Sequence, residues 1–135
     1  MNSILFVNKN TEVTNADAYC VHLSSVNNEK ELMNEFDIGL MPPDFGHNFD
    51  ALEEILEELY WIEQKQIIIF HEGISMMNGH DLFVYFKILY RVCEWWNKYN
   101  DHQVLFLFSE EERPLLEKVI SAVEIYRNEQ PSKRM

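Results

Sequence analysis

Four short segments are rich in apolar residues and predict the strands of a sheet. They are Ile4–Val7, Tyr19–Leu23, Ile67–Phe70 and Val104–Phe108. The last two show no polar alternation, which is typical of strands that are buried on both faces of a parallel sheet covered by helices. The first strand either pairs with the second in a hairpin-like way or joins an edge of the sheet, and the pattern leaves both arrangements open.

Four further segments carry apolar residues at helical spacing and predict helices. They are Glu29–Leu40, Phe49–Leu59, Asp81–Tyr99 and a last helix with Pro114 at its first position. Ser25 or Asn27 is the expected N-cap of the first helix and Asn48 that of the second, while Gly39 is expected to mark the end of the first. The order of elements predicts an α/β fold with a small parallel sheet. Thr11–Asp17 is an expected loop, Gln130–Met135 an expected basic tail, and residues 1–135 an expected single domain.

The second helix carries an acidic side and is preceded by a stiff approach. Pro42 and Pro43 lead into a turn at Asp44–Asn48, where Gly46 is expected to take a conformation that other residues avoid. The acids opposite the apolar stripe of this helix are Asp50, Glu53, Glu54, Glu57 and Glu58. Like charges at this spacing weaken a helix. They therefore suggest a function, although a merely solvated helix face is the alternative.

Charge is concentrated in the same part of the chain. The sequence has 23 acidic and 11 basic residues, and no Lys or Arg lies between Glu31 and Gln64. A field so localised favours a positively charged partner. It argues against direct binding of nucleic acid, which depends on Lys and Arg at the phosphates.

Composition also bounds the location of the protein. No apolar run reaches the ~18 residues of a membrane span, and the first residues lack the basic region of a signal peptide. Cys20 and Cys93 lie in apolar surroundings and are expected to be buried reduced thiols. These features predict a cytoplasmic protein that does not bind membranes.

Motifs for catalysis are weak. His71 and Glu72 follow a strand and, with Asp81, form the one candidate for an enzymatic site. The histidines show no metal-ligand spacing, and no glycine-rich phosphate loop occurs. We therefore expect no enzymatic activity, no cofactor and no metal. Trp95 and Trp96 are expected to pack in the core, with a partner-facing role as the alternative.

The segment from Met41 to Leu52, MPPDFGHNFDAL, resembles the barstar family, the intracellular inhibitors of barnase-like ribonucleases. The positions that fit the family pattern are Pro42, Phe45, Gly46, Asn48, Asp50, Ala51 and Leu52. A weaker resemblance extends over about residues 18–109. It implies a barstar-like, three-stranded parallel sheet flanked by helices, to which this chain adds an N-terminal strand and a C-terminal helix.

The resemblance also implies roles for single residues. The family acid aligned with Asp50 contacts the nuclease, and the dominant inhibitory Asp aligns with Glu54. Asp44 replaces an aromatic residue, Glu53 a Trp and Glu57 a Thr, so the face is more acidic and less aromatic than in the family. Trp95, Trp96 and Asn97 lie where the family carries further acids. We therefore expect a target nuclease other than barnase itself.

Together these observations predict a cytoplasmic immunity protein that inhibits a basic nuclease, an RNase toxin, by plugging its active site with the acidic helix and the preceding loop. The predicted partner-binding residues are Asp44, Phe45, Gly46, His47, Asn48, Asp50, Glu53, Glu54, Glu57 and Glu58. The main alternative is a non-inhibitory interaction module that presents the same helix to another basic protein. An enzyme that uses His71, Glu72 and Asp81 is the second alternative.

Overall fold

The computed structural model describes residues 3–8 and 17–130. Its elements in chain order are β1 Ile4–Val7, β2 Ala18–Leu23, α1 Glu29–Leu40, α2 Phe49–Leu56, β3 Gln66–His71, α3 Gly79–Lys98, β4 Gln103–Ser109, a 3-10 turn Glu110–Glu112 and α4 Arg113–Asn128. The strands form one parallel sheet in the order β1-β4-β3-β2. The predicted α/β class and the parallel sheet are confirmed. The expected loop and tail lie outside the described residues, apart from Asp17 and Gln130.

β1 lies at an edge of the sheet. It pairs in parallel with β4, with Ile4 opposite Phe106, and it does not pair with β2. The structure therefore selects the edge arrangement of the two that the sequence left open. A parallel pair needs no tight turn, so the separation of β1 and β4 along the chain is no obstacle to it.

The two faces of the sheet are covered differently. Buried side chains of all four helices join one large cluster with alternate strand residues such as Ile69 and Phe106. Ile68, Phe70 and Leu107 form a smaller cluster on the opposite face, and no described helix contributes a buried residue to it. β3 is thus buried on both faces as predicted, but the described helices do not cover both.

Asparagine side chains begin three of the helices. Asn28, Asn48 and Asn78 accept hydrogen bonds from the backbone N–H of Glu31, Ala51 and Asp81, respectively. Asn48 was predicted correctly. The first cap is Asn28 and not Ser25 or Asn27, and α3 begins at Gly79, before the predicted Asp81, because Asn78 caps it.

Gly39 has a different role from the predicted one. α1 ends at Leu40, and Met41 takes the left-handed conformation beyond it, with φ 47° and ψ 54°. Gly39 lies inside the helix, where a Cβ atom would come within 2.5 Å of Val21 Cγ1. The glycine therefore allows α1 to approach β2 closely, and Tyr19 bonds its carbonyl oxygen at 2.7 Å.

The added elements complete the core. Ile4 of β1 and both Leu116 and Val123 of α4 are buried in the large cluster. α4 packs against α3, and the Tyr90 hydroxyl donates a 3.0 Å hydrogen bond to the Glu124 carboxylate. The last helix begins at Arg113, one residue before the predicted start, so Pro114 is its second residue and still lies in the first turn, where proline is tolerated.

Candidate functional site

An acid-rich segment from Met41 to Tyr60 connects the end of α1 to Trp61. Its two ends are joined by a 2.8 Å hydrogen bond from the Trp61 indole N–H to the Leu40 carbonyl oxygen. The non-glycine residues with positive φ among those described all lie in this segment: Met41, His47 and Leu59. Left-handed backbone costs free energy for such residues and is often found at functional sites. We call residues 41–60 the acidic segment.

The turn before α2 has its unusual backbone at His47. His47 has φ 55°, whereas no glycine in the chain has positive φ, so the expectation for Gly46 was wrong. Gly46 instead lies close to α2, since a Cβ there would be 3.2 Å from the Ala51 Cβ, which is tighter than most contacts between such atoms. The His47 ring is held by a 2.9 Å bond to Asp37 on α1 and by contact with the Phe45 ring.

α2 is shorter than the apolar spacing indicated. It ends at Leu56, and Leu59 turns back into the core with φ 47°. Glu58 therefore lies beyond the helix, and the five acids do not share one helical face. Asp50 and Glu54, four residues apart, are both exposed on the helix. No basic residue occupies the last turn of α2, where the helix dipole favours cations.

Glu53 is bound within the protein. Arg91 of α3 donates two hydrogen bonds of 2.8 Å to its two carboxylate oxygens. This pairing was missed from the sequence because the two residues lie 38 positions apart. The acidic side of α2 has no base near it in sequence, but an arginine of α3 balances part of its charge.

Glu57 lies in the least favourable electrostatic position of the segment. Partial burial and repulsion by Glu53 raise the pKa of its carboxyl, and the attraction of Arg91 opposes this only in part. The Glu57 carboxylate forms no hydrogen bond or ion pair among the described residues. An additional cation beside it would relieve the repulsion.

Five carboxylates of the segment have no internal side-chain bond within the described part of the chain. They are Asp44, Asp50, Glu54, Glu57 and Glu58, which we call the acidic face. Several acids elsewhere are engaged: Glu35 accepts a bond from the Ser24 amide, and Glu112 from the amides of Ile74 and Ser75. The acidic face is therefore available to a partner.

The end of the acidic segment is held by contacts with residues outside it. The Trp96 indole N–H donates a 2.8 Å bond to the Leu56 carbonyl oxygen at the end of α2. The ring nitrogens of the buried His102 lie 2.9 Å from the carbonyl oxygens of Leu59 and Gln64. These contacts hold the acidic face in one orientation, which lowers the ordering cost of binding.

Comparison with known proteins shows the family of this chain. Residues 17–108 match the family model described as Barstar (barnase inhibitor). The chain belongs to the barstar family. Comparisons with curated proteins and with solved structures gave no significant match. The predicted resemblance is confirmed over almost the same residues, and β1 and the whole of α4 lie outside the match.

Membership indicates a general role. Barstar family members are inhibitors and not enzymes, and they bind a nuclease as partner protein. The family therefore suggests a ribonuclease inhibitor. None of the helices in the described residues is both long enough and apolar enough to cross a bilayer.

The three residues of the enzymatic alternative each bind different partners, and no bond joins one of them to another among the described contacts. His71 is buried against Tyr85, whose hydroxyl lies 2.6 Å from its Nε2, and its Nδ1 lies 2.9 Å from the Leu107 carbonyl oxygen. Glu72 instead binds His22 and Ser25, while Asp81 bonds the side chain of its helix cap, Asn78. Within residues 3–8 and 17–130, no group of three His, Cys, Asp or Glu is placed to hold a metal ion.

Two expectations for side-chain burial were wrong in part. Cys93 is buried, but Cys20 is exposed, and both are free thiols. Trp96 is in the core, whereas Trp95 is exposed and its ring contacts that of Tyr99 at 4.5 Å. In both pairs the apolar neighbours in sequence did not reveal which residue faces the solvent.

Proposed function

We propose that this protein is a cytoplasmic immunity protein that inhibits a basic nuclease toxin by covering its active site with the acidic face. The observation that carries the proposal is the set of five carboxylates without internal side-chain bonds on a fixed segment. A ribonuclease must hold phosphates, so its active site concentrates cationic side chains. Carboxylates occupy those positions without offering a bond to cleave.

The residues of the segment divide into two roles. Asp50 and Glu54 project from one side of α2 and are the proposed central contacts, with Asp44, Glu57 and Glu58 around them. The remaining predicted contacts have internal tasks as well: Asn48 caps the helix, Glu53 binds Arg91, His47 binds Asp37 and Gly46 approaches Ala51. Phe45 is half-buried beside His47 and supports the turn.

The test is inhibition of a nuclease. The nuclease domain encoded in the reading frame adjacent to this gene is assayed with increasing amounts of wild-type protein and of the double variant Asp50→Asn/Glu54→Gln. We expect stoichiometric inhibition by the wild type and its loss in the double variant. The control Asp101→Asn/Glu129→Gln removes the same charge from exposed acids outside the segment and should inhibit like the wild type.

Two outcomes contradict the proposal. Equal inhibition by the double variant and the wild type would exclude the acidic face as the inhibitory surface. A stable complex in which the nuclease keeps its activity would favour the non-inhibitory interaction module.

A further inference from the structure

Three large apolar side chains beside the acidic face lie mostly in solvent. Ile38, Met41 and Tyr60 are 72%, 69% and 71% exposed. Among the large hydrophobic residues of the described chain, Met76, at 76%, is more exposed. We call Ile38, Met41 and Tyr60 the apolar rim. Single exposed hydrophobic residues need no explanation, but a cluster of them indicates an interaction surface.

Met41 and Tyr60 are brought near each other by a contact already described, and Ile38 precedes them at the end of α1. Ile38 lies in the last turn of α1, and Met41 follows Leu40, the last residue of that helix. Trp61 bonds the Leu40 carbonyl oxygen, and its ring meets that of Tyr60 edge-on, with centroids 5.3 Å apart. Met41 and Tyr60 are thus the chain neighbours of Leu40 and Trp61, the two residues whose hydrogen bond joins the ends of the acidic segment.

The rim is continuous with the acidic face. Met41 precedes Asp44 by three residues, and Tyr60 follows Glu58 by two. Met41 also holds a left-handed position, with φ 47°, that Gly or Asn would occupy at lower cost. The backbone conformation at position 41 therefore gives no reason for a methionine there.

We propose that the apolar rim is a second contact surface for the nuclease and takes an apolar surface that borders the cationic cleft. This inference rests on the proposed function. Exposed carboxylates accelerate and orient encounter but give little short-range affinity. Apolar burial next to them would slow dissociation. A second copy of this chain is disfavoured as the occupant, since its net charge is −12 and the carboxylates beside the rim would repel it.

The experiment compares two double variants with similar exposed residues. Ile38→Thr/Met41→Gln makes the rim polar, and Ile125→Thr/Met76→Gln makes the same changes at exposed sites outside the acidic segment. Binding to the adjacent-frame nuclease domain is followed by stopped flow and surface plasmon resonance. We expect the rim variant to dissociate at least about tenfold faster, with an association rate within about twofold of the wild type. The control should match the wild type in both rates.

The outcomes separate the two proposals. Wild-type inhibition with equal dissociation rates in rim variant, control and wild type would overturn the rim alone. Absence of inhibition by the wild type would overturn the proposed function and, with it, the assigned occupant. A wild-type dimer in sedimentation that the rim variant abolishes would assign the rim to a second copy instead.

Discussion

Arg91 and Glu53 form a two-point ion pair between α3 and α2, in which Nε and Nη2 of the guanidinium each donate a 2.8 Å hydrogen bond to a different carboxylate oxygen. The pair removes one acid from the set available to a partner. It also holds α2 against α3 beside the Trp96–Leu56 hydrogen bond. The acidic segment is therefore a fixed surface whose charge is partly set by its own scaffold.

Substituting Arg91 should loosen this attachment. Arg91→Gln leaves Glu53 beside Glu57 without a cation, and we expect a loss of about 1 kcal/mol in the free energy of unfolding, since the pair is bidentate but partly exposed. Urea denaturation measures the loss. Arg113→Gln is the control, because its carboxylate partners Glu110 and Glu117 lie within four residues of it in sequence and its guanidinium otherwise lies over the Phe6 ring of β1, away from α2. Equal losses in both variants would argue against the role in holding α2.

Glu53 and Glu54 should differ in binding although they are neighbours. Glu54→Gln removes a free carboxylate and should weaken nuclease binding at least about tenfold. Glu53→Gln alters an acid that is already paired with Arg91 and should change the dissociation constant less than about threefold. Isothermal titration with the same nuclease domain compares them. The reverse order of effects would place Glu53, and not Glu54, at the nuclease.

His71 should make stability depend on pH. Burial lowers the pKa of its imidazole to about 4, from an ordinary value of 6.5. As the pH falls from 6.5 toward 4, the unfolded chain takes up a proton that the folded chain does not. The associated stability, about 3 kcal/mol, is complete above pH 6.5 and is lost over this range.

The measurement is urea unfolding at several pH values. The His71→Gln variant should lack this part of the pH dependence, even if it is less stable at pH 7. His80→Gln is the control and should keep the wild-type slope, since it changes an exposed histidine that has no side-chain bond among the described residues. Parallel curves for wild type and His71→Gln would contradict the expectation.

Two glycine substitutions should change the stability of the fold in opposite directions. Gly39→Ala places a methyl group within 2.5 Å of Val21 and should destabilise the fold by about 2 kcal/mol. Gly79→Ala meets nothing within 4 Å at the start of α3 and should stabilise it by about 0.5 kcal/mol. Thermal unfolding of both variants provides the comparison. A neutral Gly39→Ala would mean that α1 shifts away from β2 without cost.

Association with the nuclease should be sensitive to salt. The exposed carboxylates of the acidic face attract cations over distances that ions screen, so the association rate should fall at least about tenfold between ~10 and ~300 mM salt. Stopped-flow fluorescence measures it. The Asp50→Asn/Glu54→Gln variant should show a shallower dependence. A wild-type rate that does not change with salt would exclude electrostatic steering.

The sequence by itself determined the strands, the helices and the family. Continuous apolar runs located β3 and β4, Asn48 was recognisable as a cap, and the Pro42–Leu52 pattern indicated barstar. These features depend on residues that are close in the chain, where spacing and backbone preference act directly. The localised negative charge was also visible as composition.

Only the tertiary structure decided which acids are free and how the elements meet. The Arg91–Glu53 pair, the position of β1 beside β4 and the join between Trp61 and Leu40 link residues that are far apart in sequence. The left-handed backbone at His47, where Gly46 was expected, follows from the close contact of Gly46 with Ala51 and the tie of His47 to Asp37. Periodicity shows which face of an element is apolar, but the partner of each side chain depends on packing between elements.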